Sequence, residues 1–422
     1  MIRSKINIEL VEEWIFDNLY PIIFFSFFIS MFKDTSYLLM LFFLFSVYYA
    51  VKLSFAPSSS KFIKIFFSGY IFYNLFSLIN YVFNGMPIYC YYWEVSCGIL
   101  PMFAFYVGIY SKKIDNNFYN KIFYSCVFAL VIGLYLYLTM PDWYLSWKMD
   151  NIFNLWYHTK ESDEHYFLEY GRFTSFFSSP YFSSAVGVLC LSIALSYVFR
   201  YGIKAIYFIA IILSLLCLFL TQQRVAVVYG AGIFITYQLY QLFLRERRIY
   251  RFFVVEIVVF VIFVVFLSYY SNMLERVDLV LDAALQRMDT LDSAVDERSD
   301  QYREIMNEWK NVFFGHGLGS GGHTAVQMGY VGITDGNYHK ILYEIGITGI
   351  IGFVSLILLT LIRGLKNLQY LSLELMIICY YLVAMIGQNI LEFRFIVIPL
   401  WYCIGRVWNK PYLNSLKQNI KL

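Results

Sequence analysis

Long apolar runs alternate with short polar connections along most of this chain. Val254 to Tyr270 and Tyr181 to Phe199 are representative runs. A mostly apolar stretch of about 18 or more residues is long enough to cross a bilayer as a helix. Backbone groups in lipid must be satisfied internally, so only helices and closed barrels span it. Runs this continuous lack the in–out alternation of barrel strands. The pattern predicts about 12 spans, near 18–32, 36–55, 62–83, 88–110, 118–139, 176–199, 203–221, 225–244, 252–270, 339–362, 370–389 and 393–408. The expected fold is an all-α integral membrane protein. The first run follows Glu9, Glu12, Glu13 and Asp17 and is not trailed by a small-residue cleavage site, so it is expected to be retained.

The basic residues give this series a direction. Lys52, Lys61 and Lys64 fall in one connection, Lys112, Lys113 and Lys121 in the next but one. Arg200 with Lys204, the group Arg245, Arg247, Arg248 and Arg251, and Arg363 with Lys366 continue the alternation, and the tail adds Lys410, Lys417 and Lys421. Positive residues favour the cytoplasmic side, so both termini are expected there. The other face then carries a smaller loop at 141–175 and a large loop at 271–338. The expected organisation is nine spans within 1–270, the large loop at 271–338, and three spans plus a cytoplasmic tail within 339–422. Leu274, Val277, Leu281 and Leu285 repeat at helical spacing inside the large loop, as do Tyr302, Ile305, Met306 and Trp309. Two amphipathic helices on the membrane surface or the bundle are expected there.

Composition agrees with this reading. The chain is 60% hydrophobic and 14% charged, against about 25% charged for soluble domains. All seven cysteines lie in or beside apolar runs, which leaves no disulfide framework and no zinc pattern. No nucleic-acid partner is expected.

Candidate chemistry gathers on the outer face, where all five histidines fall. Arg172, Arg224 and Arg394 stand at outer span ends, against the positive-inside bias. Charges near membrane depth are costly and tend to face a cavity. Guanidinium groups grip phosphate bidentately, although they also snorkel to headgroups or pair with acids such as Glu392. The stretch Gly315 to Gly322 contains a GxGxxG match, but no strand and helix flank it as a dinucleotide fold requires. Two readings stay open: a close-approach turn with amides aimed at an anion, or a flexible connector. His316 and His323, like His158 and His165, are seven apart, which is no metal pattern, and no GxSxG elbow is present. Asp335, His339 and Glu344 stand where the large loop enters a span. One of them could deprotonate a sugar hydroxyl. The same stretch also reads as an interfacial anchor, with Tyr338 and Tyr343 in the aromatic belt.

Three segments carry a resemblance. They are Gly171 to Pro180, Thr221-Gln222-Gln223-Arg224, and Phe314 to Gly319 followed by Asp335 to Gly349. In order and sidedness they resemble the O-antigen polymerase and O-antigen ligase superfamily. Ligases of that superfamily typically carry a His-Asn pair eleven residues before the glycine matching Gly346. Here Asp335 and Gly336 occupy those positions, which looks more like the polymerases. His339 follows one helical turn later.

The resemblance implies glycosyl transfer at the periplasmic face of the bacterial inner membrane. The donor would be a glycan on undecaprenyl pyrophosphate and the acceptor a hydroxyl of another lipid-linked repeat unit. Arg172 and Arg224 would stabilise the departing pyrophosphate, and Arg298, Arg303 and Tyr338 would hold substrate. Asp335, or after it His339, would take the hydroxyl proton. With arginines supplying the positive charge, no metal or other cofactor is expected. Membrane lipid is an expected partner, and a chain-length regulator is left open. The rivals are a ligase transferring polymer to lipid A-core, a lipid-linked oligosaccharide flippase, and a structural assembly partner.

Overall fold

The computed structural model describes residues 61–79, 85–110, 117–139, 141–144, 172–177, 180–202, 204–244, 312–330, 332–333, 336–393 and 396–420, with 18, 44, 47, 48 and 51. Among the described residues every regular element is helical. In chain order they are α1 (Lys61–Phe76), α2 (Ile88–Ile109), α3 (Asn117–Thr139), α4 (Pro180–Tyr201), α5 (Ala205–Thr221) and α6 (Arg224–Leu244). The short α7 (His323–Gln327) precedes α8 (Asn337–Leu365), α9 (Leu368–Gly387), α10 (Ile398–Trp408) and α11 (Lys410–Ile420). Five of them, α2, α3, α4, α8 and α9, are long and apolar enough to cross a membrane. The runs expected at 18–32, 36–55 and 252–270, and the amphipathic helices expected in the large loop, lie outside the described residues.

The described residues fall into two compact units, one of 61–118 and 312–420, the other of 119–244. In the first, α2 and α10 cross at glycines. A side chain on Gly108 would collide with the Tyr402 carbonyl, and one on Gly405 with the Phe105 carbonyl. Small residues at such crossings let backbones approach where no water is available to drive association. Aromatic side chains fill the space beside this crossing: Phe67 of α1 lies 3.9 Å from Phe105 and 5.6 Å from Trp401, centroid to centroid. Asn409 ties the far end, its Nδ2 donating to the Gly108 carbonyl at 3.1 Å.

In the second unit α4 is buried almost all round, without a break from Phe182 to Tyr197. Its buried face includes Ser183, Ser184, Ala185, Gly187, Ser192, Ala194 and Ser196, which let α5 pack closely against it. The sequence pattern places a span start near 176, whereas α4 begins at Pro180. Residues 172–177 form a buried turn instead. Ser175 takes a left-handed conformation (φ 53°), its hydroxyl donates to the Ala129 carbonyl at 2.8 Å, and its own carbonyl accepts from Tyr144.

Candidate functional site

The glycine-rich loop shapes a candidate site within the first unit. α8 is broken at Gly346, where φ is 69° and ψ −173°. Glycine reaches that conformation without a Cβ penalty, and a side chain there would also strike the Phe313 carbonyl. The break frees backbone groups that a membrane interior cannot leave unpaired. Residues 312–317 supply the partners. His316 and Gly317 amides donate to the Tyr343 and Glu344 carbonyls at 3.0 and 2.8 Å, and the Ile347 amide donates to Val312 at 3.0 Å. Tyr73 from α1 donates to the Ile345 carbonyl at 2.8 Å. Gly315, at φ 72°, lies so close to Glu344 that any side chain would collide with its backbone.

This contact brings together a buried charged cluster. The Lys340 ammonium lies 2.7 Å from Glu94 of α2 and 2.7 Å from Glu392, which closes the 3₁₀ turn Ile390–Glu392. Glu344, one helical turn along α8, stands 3.8 Å away. Lys340 is 2% exposed. Glu94 caps a π-helical turn, Val95–Ile99, inside α2, a distortion common at functional sites. The anion met by the loop's amides is the protein's own: Gly321 N–H donates to Glu344 Oε1 at 3.1 Å. Glu392 also binds His323, Nδ1 to Oε2, at 2.7 Å, and receives Asn389 Nδ2 at 3.3 Å. Burial alone pushes the Glu392 carboxyl up, but Lys340 and His323 outweigh it and hold it down at about 2. Beneath the cluster lies a cavity of about 50 Å³, lined by Asn74, Glu94, Asn337 and Lys340 on its polar side and by Met102, Phe353 and Trp401 on its apolar side. It is large enough for a few water molecules.

The second unit holds the arginines. Gln222 ends α5 in a left-handed turn (φ 53°), and Arg224 opens α6 two residues later. Arg172 is buried, and the next residue, Phe173, donates its amide to the Leu220 carbonyl at 2.9 Å. Arg172 and Arg224 therefore stand at one corner, flanking the last turn of α5. Arg200 and Lys204 lie at the other end of α4 and α5.

Residues 209–357 match the family model for O-antigen ligase. The match supports the O-antigen polymerase and ligase superfamily, whose members are membrane glycosyltransferase-like enzymes. A comparison with curated proteins found no match. The O-antigen ligase match runs from α5 into α8, taking in Arg224, the glycine loop, His323, Lys340 and Glu344. Arg172, Glu94 and Glu392 lie outside it.

Of the residues singled out from sequence, Asp335, Arg298, Arg303 and Arg394 lie outside the described residues. His339 is exposed on the first turn of α8. Tyr338 is half-buried, and its hydroxyl donates to the Leu382 carbonyl at 2.9 Å, tying α8 to α9. Glu94 carried no motif, and only its placement inside an apolar run marked it. Lys340 was visible only as part of the Asp335 to Gly349 stretch. Among the described residues no three His, Cys, Asp or Glu side chains are arranged to hold a metal ion; where the carboxylates converge stands the Lys340 ammonium.

Proposed function

We propose that this protein polymerises undecaprenyl-pyrophosphate-linked repeat units into a surface polysaccharide at the periplasmic face of the bacterial inner membrane. The observation that carries the reading is the corner where Arg172 and Arg224 flank the end of α5, within a chain matching the O-antigen ligase family. An acceptor hydroxyl attacks the anomeric carbon of the donor glycan. The bond to the pyrophosphate breaks, and its electron pair leaves with the lipid pyrophosphate. Fixed guanidinium groups stabilise charge that grows on the leaving group. Arg298, Arg303 and Tyr338 assist in holding substrate, and the motif positions nominate Asp335 first and His339 second as the base. The substrates are lipid-linked glycans, with membrane lipid around the bundle.

Purified protein in liposomes, supplied with lipid-linked repeat units, should form ladders of longer glycans. Arg172→Ala and Arg224→Ala should each lower the elongation rate about 10²–10³-fold at unchanged protein level. Normal ladders from both variants would remove the pyrophosphate role. The second reading, ligation of polymer to lipid A-core, is favoured by the description of the matching family. A cell lacking a polymerase still displays single repeat units on its core, whereas one lacking a ligase displays none.

A further inference from the structure

Resting on the glycosyl-transfer reading, we propose that the proton of the acceptor hydroxyl is taken by His323, oriented by Glu392, in place of Asp335 and His339, the two bases that motif position alone nominates. A base of this kind needs a fixed tautomer, a partner that stabilises its protonated form, and a route to substrate. The Nδ1 contact with Glu392 Oε2 at 2.7 Å supplies the first two. With Nδ1–H donated to the carboxylate, Nε2 is the acceptor of the neutral ring. Glu392 is itself pinned, Oε1 taking Lys340 Nζ at 2.7 Å and Asn389 Nδ2 at 3.3 Å. The third condition shows in the contrast of exposure: the His323 side chain is 29% exposed, that of Glu392 7%. The carboxylate is sealed in and the imidazole reaches the surface.

The charged groups facing this pair are Glu392 itself, Lys340 and Glu344 from α8, and Glu94 from α2. Three carboxyl groups converge on the one ammonium of Lys340, and of these Glu392 is the one in contact with His323. The Glu392 carboxylate, 2.7 Å from Nδ1, favours the imidazolium formed when His323 accepts a proton. In the step itself the hydroxyl oxygen bonds the anomeric carbon as its proton moves to Nε2, while the glycosyl–phosphate bond breaks and its electron pair stays on the lipid pyrophosphate. The proton then passes to solvent. Glu392 and Lys340 act through His323 and are positioning residues.

The test is transfer by purified protein in liposomes, with lipid-linked repeat units as donor and either repeat units or lipid A-core as acceptor, from pH 5 to 9. The wild-type rate should fall at low pH as His323 becomes protonated. His323→Gln should lower kcat about 10²-fold or more with little change in KM, and added imidazole should restore part of the rate to His323→Ala. Glu392→Gln, which removes the negative neighbour, should move the acid limb to lower pH, and Glu392→Asp should keep it near the wild-type position. If His323→Gln transfers at the wild-type rate, the base assignment falls and the glycosyl-transfer reading stands. If the wild type transfers to neither acceptor, both fall. Should the His323 variants fail to fold, the Glu392→Gln profile decides, and an unmoved acid limb overturns the proposal.

Discussion

Lys340 and Arg406, the two most deeply buried cations among the described residues of the first unit, meet different surroundings. Lys340, at the start of α8, is 2% exposed and meets three carboxylates. Arg406, in the last turn of α10, is 1% exposed and lies over aromatic rings, its Cζ 3.4 Å from the Tyr412 centroid and 5.8 Å from that of Tyr402. They stand at opposite ends of α8, since Arg363 near its close donates to the Val407 carbonyl beside Arg406 at 2.8 Å. A buried charge must be paired or it destabilises the fold. Around Lys340 the pairing is done by carboxyl groups, one of which, Glu392, also holds the partly exposed His323. Aromatic faces hold a cation by their quadrupole. The first arrangement is suited to chemistry. The second is suited to fastening α11, whose Tyr412 hydroxyl meets the buried Glu374 at 3.0 Å.

The sharpest break of this comparison is Lys340→Met. It leaves Glu94, Glu344 and Glu392 together without their ammonium. Removing one partner of a buried ion pair typically costs about 3–5 kcal/mol, so the variant should lose most of its folded population in detergent. Size-exclusion profile and thermal unfolding of the solubilised protein measure this. A monodisperse variant melting with the wild type would mean that the cluster is not buried as described.

The two poles differ in how far the sequence disclosed them. Hydrophobic periodicity found α2, α3, α5, α6, α8 and α9 to within a few residues, because a helix in lipid needs a long apolar run whatever surrounds it. It could not find the break at Gly346 or the turn at 172–177, which are set by tertiary partners. The glycine loop was legible as a close-approach turn, and its amide-bound anion proved to be Glu344. The pairing of His323 with Glu392 spans 69 residues of sequence, so no local spacing could signal it. Glu94 is a further case. An acid within an apolar run is costly alone and becomes tolerable only when Lys340 arrives from another helix. The only sequence signal was that cost.

A gentler probe is proton titration at the carboxylate pole. The Glu392 carboxyl is depressed in the folded protein, to about 2 from an ordinary 4.5. A depressed carboxylate adds stability that is fully present above its unfolded value and is lost as pH falls through the folded one. The melting temperature of the solubilised wild type should therefore decline between pH 4.5 and about 2. Glu392→Gln should start lower and decline less across that window. Parallel profiles for the two proteins would show that Glu392 is not held down by Lys340 and His323.

The smallest effect belongs to the aromatic pole. Arg406→Met removes the cation but leaves the Tyr412–Glu374 hydrogen bond and the Asn409 tie to Gly108. A desolvated cation–π contact contributes about 2 kcal/mol, and methionine recovers part of the lost packing against Tyr402 and Tyr412. The variant should fold, melt a few degrees lower, and form glycan ladders at the wild-type rate per folded molecule. Thermal unfolding and the elongation assay on one preparation measure both. A loss of stability as large as that of Lys340→Met would show that Arg406 is held by charge rather than by ring faces. A loss of elongation without loss of fold would give the α10–α11 end a part in the reaction, and the division between a chemical pole and a fastening pole would no longer hold.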